Sequence, residues 1–351
     1  MTRQITPSAG LRPREKTNWW PRLGLVLVVL FYLYYFTGGE SEKGLTFSII
    51  FSSIVLEAFP FLLLGTLAGG FIEVFVSRDR LASLLPRRPV PAVLLAASLG
   101  IVLPVCECAI VPVVRRLSRK GLPASAGIAY LLAGPIVNPL VALSTWLAYG
   151  MDWQPVLIRL AAGYVIAVLV ALAIGRVLGE AGTLVPEARG GHPDEEEEDC
   201  HHPHHQHAAP EDGKGSFERL LDALTHGLDD FLATAPFLII GAFLAALAQT
   251  YVERSLFLAA ADNPLGATVL MMLLAVLLNL CSEADAFIAA SFRGYVPLVA
   301  QLAFLVLGPM FDLKLLLMYR GLFQKKAILL LVTLVSVLVL GLALTLIQLG
   351  V

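Results

Sequence analysis

Runs of apolar residues long enough to cross a lipid bilayer divide this sequence, and no other feature restricts its fold as severely. A spanning helix needs about 20 mostly apolar residues to cover about 30 Å of hydrocarbon. Seven runs qualify: Trp19–Phe36, Phe47–Val76, Gly121–Tyr149, Pro155–Leu178, Leu220–Val252, Tyr295–Tyr319 and Ala327–Leu349. Inside a bilayer every backbone polar group must be satisfied by the chain itself, and uninterrupted runs without two-residue alternation do this as helices. With 57% hydrophobic and 15% charged residues and a mean hydropathy of +0.77, an ordinary soluble enzyme, a nucleic-acid-binding domain and a disordered chain are excluded. Trp19–Phe36 reads as a span rather than a cleaved leader, because the basic stretch before it is long and Thr37-Gly38-Gly39 makes a poor cleavage site.

Two shorter apolar stretches, Val90–Pro104 and Gly266–Leu280, would reach only about 22 Å as helices. Both stop at a cysteine. Cytoplasmic segments near membrane ends are enriched in Lys and Arg. Such clusters stand in the N-terminal tail, in the 77–89 loop, at Arg115, Arg116, Arg119 and Lys120, and at Arg320, Lys325 and Lys326. Placing the second and third of these on one side requires residues 90–114 to enter and return as a re-entrant hairpin. The alternative is a simple span over 90–114, which puts four cations outside.

The chain repeats its landmarks in order. Pro60-Phe61 through Gly65 recurs as Pro236-Phe237 through Gly241, and Pro89 as Pro264. Cys106-Glu107-Cys108 recurs as Cys281-Ser282-Glu283, and Gly134-Pro135 with Asn138 as Gly308-Pro309 with Asp312. The expected architecture is an all-α polytopic membrane protein of two pseudo-symmetric, inverted repeats with broken or re-entrant helices. Inverted repeats of this kind place transporter sites near the midplane where the repeats meet. Residues 1–46 form a tail and an extra span, 47–178 the first repeat, 179–218 a linker and 219–351 the second repeat. The linker is polar: residues 192–212 carry eight of the 27 acids and no Lys or Arg, leaving 19 acids against 25 basic residues elsewhere. It cannot bury enough apolar area to fold alone, and this topology makes it cytoplasmic, with the N-terminus.

The pseudo-symmetry draws three thiols, Cys106, Cys108 and Cys281, toward one place. Thiolates select soft or borderline ions such as Cu(I), Zn²⁺ and trivalent arsenic. A charged side chain at membrane depth costs about 2.5–3.5 kcal/mol on insertion scales. Glu107, Glu283 and Asp285 are therefore functional candidates that tune the site's charge or exchange protons; the bland alternative has Glu107 neutralising Arg115 or Arg116. Asn138 and Asp312 break two apolar runs at equivalent positions. They serve either as a gate beside unwound carbonyls or as caps of Pro-induced kinks, and Lys314 pairs with Asp312 or reaches the interface. Glu57, Asp229 and Asp230 are candidates for a proton relay. Cys200, His201, His202, His204, His205 and His207 form a tract suited to Zn²⁺, Ni²⁺ or Cu²⁺, without the spacing of a structural site. The four cysteines suggest no disulfide framework, so the thiols are expected reduced. No P-loop, H-E-x-x-H or G-x-S-x-G pattern is present, so energy for transport would come from an ion gradient or a partner.

Cys106-Glu107-Cys108-Ala109-Ile110-Val111-Pro112, Gly134 to Pro139, Cys281 to Phe292 and Gly308 to Lys314 resemble the bacterial predicted-permease family of the UPF0718 type, which includes organoarsenical exporters and copper/zinc efflux relatives. The likeness covers about residues 47–350. It implies a multi-pass inner-membrane permease that exports a thiol-seeking metal or metalloid, with Cys106, Cys108 and Cys281 as the matching thiols. The expected protein needs no cofactor, with Zn, Cu or Ni entering as substrate or loop ligand. Its partners are the bilayer and a small metal or metalloid solute, with no nucleic acid; a homodimer or a further membrane subunit stays open. Two rivals remain: an organoarsenical exporter with a dispensable His loop, and a membrane metal sensor or assembly subunit that moves nothing.

Overall fold

In the computed structural model, residues 42–75, 86, 88–103, 105–188, 216–251, 263–278 and 280–350 are described. The Trp19–Phe36 span and the tract from Cys200 to His207 lie outside these residues. Among the described residues the fold is almost wholly helical, and its only extended pairing is an isolated bridge between Leu184 and Phe323.

The first half runs α1 (Glu42–Phe75), α2 (Pro89–Val102), α3 (Glu107–Arg119), α4 (Ala124–Ala133), α5 (Pro139–Ala148) and α6 (Trp153–Val177). A short α7 (Gly179–Thr183) follows. The second half runs α8 (Ser216–Tyr251), α9 (Pro264–Leu278), α10 (Ser282–Ser291), α11 (Leu298–Leu307), α12 (Leu313–Tyr319) and α13 (Lys325–Leu349). The order of long and short helices is the same in both halves, and the boundaries have shared causes. Proline begins α2, α5 and α9, where its missing N–H and fixed φ suit the first turn. Asn138 caps α5 by accepting from the Leu140 N–H, as Asp312 caps α12 by accepting from the Leu315 N–H at 2.7 Å.

Among the described residues, four helices are long and apolar enough to cross a membrane: Lys43–Phe71 within α1, α6, Leu220–Leu247 within α8, and α13. The runs Gly121–Tyr149 and Tyr295–Tyr319, expected as single spans, are instead two short helices each. The backbone turns at Gly134–Asn138 and at Gly308–Asp312, where the Pro residue and the capping side chain end one helix and begin the next. The linker boundary also moves. Glu180 of α7 accepts hydrogen bonds from the Ala124 N–H at 2.7 and 2.8 Å, and Leu184 and Ala188 are buried, so residues 179–188 belong to the folded body. Both carboxylate oxygens thus cap α4, while burial pushes the Glu180 carboxyl above the usual range, against that hydrogen bond.

Packing follows the solvent of a membrane protein. The whole of α4 and Val299–Leu307 of α11 are buried, so the two short helices form the centre. On α13, Leu331, Val335, Val339 and Ala343 face inward at four-residue spacing, while Leu329 (70% exposed) and Val337 (61%) point outward. A helix apolar on all sides gains nothing from water and suits lipid on its free face. The halves interlock: α1 packs along α8, α5 against α10, α12 against α3, and α6 against α13.

Candidate functional site

Each half breaks once at a cysteine, and the two breaks have nearly the same backbone. Cys106 precedes α3 with φ −70 and ψ 162, and Cys281 precedes α10 with φ −80 and ψ 157. Each is the N-cap of a helix, so the positive end of a helix dipole lies at each break. That arrangement favours carboxylates and thiolates there.

A small, partly open pocket lies at this junction. Cys106, Glu107 and Cys108 line it from the first break, Cys281 from the second, Glu57 from α1 and Lys314 from α12. Glu107 and Lys314 are 1% and 2% exposed. The Lys314 Nζ donates to Glu107 Oε1 at 3.3 Å and lies 3.6 Å from Asp312 Oδ2. Ser282 Oγ donates to Glu107 Oε2 at 3.1 Å, so one carboxylate of the first half is held by two residues of the second. Cys281 Sγ donates to Glu57 Oε1 at 2.7 Å, and Cys108 Sγ lies 3.9 Å from Glu107 Oε1. Cys106 and Cys281 are half-buried and Cys108 is buried, and none of the three is in a disulfide among the described residues.

Lys314 is aimed by close packing behind it. A Cβ on Gly241 of α8 would stand 2.6 Å from the Lys314 Cα, so only glycine lets the two backbones meet. On the opposite wall a Cβ on Gly65 would stand 2.1 Å from the Cβ of Ala109, which presses α1 onto α3 beside the Cys106 break. The repeated Gly65 and Gly241 thus both seat a helix that carries pocket residues.

The other candidates separate into groups. Among the described residues no three His, Cys, Asp or Glu side chains form a group able to hold a metal ion, so the thiols share a pocket without closing on one point. Glu107 pairs with Lys314 rather than with Arg115 or Arg116. Asn138 and Asp312 act as helix caps, although Asp312 also faces Lys314. Asp230 is buried in an ion pair with Arg116, whose Nη2 also donates to the His226 carbonyl at 3.3 Å, while Asp229 is exposed. Asp230 is therefore engaged in joining α3 to α8. Glu283 is half-buried and Asp285 fully buried just beyond the Cys281 break, neither of them lining the pocket.

The sequence reading missed two features. Lys314 joins Glu107, 207 positions away, a pairing that no local pattern announces. Arg159 is 0% exposed inside α6, where its Nη1 donates to Thr145 Oγ1 at 2.7 Å and its Nη2 to the Ser282 carbonyl at 2.8 Å. A lone cation inside an apolar run was the available signal.

Residues 45–347 match the ArsP_1 family, described as "Predicted permease". The chain is 39% identical over 292 residues to the UPF0718 protein YcgR of Bacillus subtilis, covering 83% of this chain and 94% of that protein. It is 36% identical over 280 residues, covering 80% and 88%, to a Streptococcus mutans protein with the provisional name of a two-component membrane permease complex subunit. The UPF0718 protein YraQ of Escherichia coli is 25% identical over 220 residues, 53% of this chain and 62% of that one. No solved structure matches at comparable significance. The chain belongs to this predicted-permease family and is a membrane permease.

Proposed function

We propose that this member of the predicted-permease family is a gradient-driven efflux permease of the bacterial inner membrane, which binds a thiophilic metal or metalloid species at Cys106, Cys108 and Cys281. The observation that carries the reading is the pocket itself: three reduced thiols from two helix breaks around one buried charge pair. In this reading the halves are inverted repeats, α2–α3 and α9–α10 are re-entrant hairpins, and the N-terminus and His-rich tract are cytoplasmic. Lys314 holds the compensating charge while no substrate is present. An entering soft cation competes with that ammonium for Glu107, and the two cysteine breaks approach one another to close the ligand set.

The test is uptake of Zn²⁺, Cu(I), Ni²⁺ and methylarsenite into everted membrane vesicles, comparing wild type with a Cys106→Ser, Cys281→Ser double variant. Thiol-dependent accumulation of one species names the substrate and establishes export. No thiol-dependent accumulation of any of them overturns the thiol site. A second reading has support in the Streptococcus mutans relative, whose name describes a two-component complex subunit: the chain works with another membrane protein, as a sensor or assembly subunit. Metal binding without flux in proteoliposomes of the purified chain, with flux restored by a co-purified subunit, would favour that reading.

A further inference from the structure

Asp285 is 2% exposed, and its Oδ2 carries no hydrogen-bond partner. Buried polar atoms are almost always satisfied, so an orphan carboxylate oxygen requires an explanation. Arg159 on α6 is close enough for its charge to act on Asp285, yet no ion pair joins them. Its two terminal nitrogens are engaged by Thr145 and the Ser282 carbonyl, and its Nε, like Asp285 Oδ2, has no partner. A donor and an acceptor, both buried and neighbouring, are therefore left unused.

The surroundings of Asp285 pull in opposite directions. It sits in the first turn of α10, its own N–H donating to the Cys281 carbonyl at 2.9 Å, and that helix end favours a negative charge. Arg159 and, from α12, Lys314 favour it too, whereas Glu107 on α3 and Asp312 before α12 oppose it. On the far side lies the last turn of α11. A Cβ on Gly308 would stand 2.8 Å from Asp285 Oδ2, so the orphan oxygen lies against the backbone that ends α11, where the Phe304 carbonyl already accepts from the Gly308 N–H at 3.1 Å. A buried carboxylate oxygen with no donor keeps its charge unanswered, whereas protonation removes that charge.

We propose that Asp285 is a reversible proton site at the junction of α6, α10 and α11, separate from the thiol pocket, with Arg159 as its positioning residue. A hydronium proton from the water phase adds to Oδ2, forming one O–H bond and neutralising the buried charge. On release that bond breaks, the proton returns to water, and the carboxylate lies in the field of Arg159. The ligand is a proton rather than a metal cation, because a cation needs several oxygens around one point and is repelled by a guanidinium. Broken helices whose C-terminal ends face a midplane site hold coupling ions in secondary transporters. Asp285 as the coupling site rests on the permease reading; Asp285 as a proton site does not.

The test uses the full-length protein in liposomes without transport substrate, followed by infrared difference spectroscopy from alkaline to acid pH. Wild type is expected to gain the C=O stretch of a buried carboxylic acid. Asp285→Asn should lose that band, and Asp285→Glu, eluting and melting as wild type does, should keep it at a shifted frequency. Arg159→Gln should move the titration midpoint upward by about one pH unit or more, as loss of a neighbouring opposite charge requires. A band that survives in Asp285→Asn, a wild type with no band at any pH, a midpoint unmoved in Arg159→Gln, or a midpoint that follows Na⁺ at fixed ionic strength each overturns the proposal. Loss of thiol-dependent uptake with the band intact counts against the permease reading instead.

Discussion

A buried lysine between two acids is costly unless every charge is answered, and here Lys314 meets both Glu107 and Asp312. Removing one partner of a buried pair leaves an uncompensated charge and typically costs about 3–5 kcal/mol, whereas replacing the pair by apolar or neutral groups of similar shape is often far cheaper. Lys314→Met is therefore expected to lower the thermal midpoint of the detergent-solubilised protein sharply. The double variant Lys314→Met, Glu107→Gln should recover much of that loss, because Glu107 then needs no counter-charge. Strict additivity of the two single effects would show that the pair is not coupled. The thiols give a second residue-scale expectation. Cys106 and Cys281 are half-buried and line the pocket, while Cys108 is 2% exposed. In single-cysteine variants, a small methanethiosulfonate reagent should modify positions 106 and 281 in the folded protein and position 108 only on unfolding. Equal rates at all three would contradict the packing around α3.

Between elements, the pocket depends on helices that touch backbone to backbone. A Cβ on Gly241 would meet the Lys314 Cα at 2.6 Å and its Cβ at 2.8 Å, and neither is the movable end of a side chain. Gly241→Val should thus cost about 1–3 kcal/mol as overpacking and displace Lys314 from Glu107. Gly341 has no atom within contact of such a Cβ, so Gly341→Ala is the matched control and should be close to neutral by thermal melting. Most of the elements were legible in the sequence because they rest on local rules. Long apolar runs gave α1, α6, α8 and α13 within a few residues, and Pro-led starts with Asn138 and Asp312 as caps marked the breaks. What escaped was long-range. A mostly apolar run of 29 residues from Gly121 to Tyr149 reads as one crossing on length alone, since periodicity cannot show that Gly134 to Asn138 turns the chain before α5. Likewise the engagement of Asp230 by Arg116, and the place of Arg159 beside Asp285, depend on which helices pack together, and packing is not written in spacing.

At the scale of the whole molecule, each half supplies part of the pocket: Glu57, Cys106, Glu107 and Cys108 come before the linker, Cys281 and Lys314 after it. The sequence repeats led to the expectation that the three cysteines come together, and all three line this one pocket. The repeats did not point to Lys314, whose counterpart one repeat earlier is Leu140, so the site is asymmetric in charge where the pattern is symmetric. That asymmetry separates the pocket's role from that of the His-rich tract. Residues 192–212 lie outside the described residues, and the pocket is lined from α1, the two cysteine breaks and α12. Deleting residues 192–212 should leave the thermal midpoint unchanged and thiol-dependent uptake saturating at the same maximal rate. If the tract collects metal, it raises the local concentration at the pocket mouth as a tethered site does, so its loss should raise the apparent KM alone. The measurement is initial uptake rate against free metal concentration in vesicles, with isothermal titration of Zn²⁺ on the purified protein in parallel. A lower maximal rate at saturating metal would mean that the tract takes part in transport itself and is no mere collector, because local concentration is irrelevant once the pocket is full.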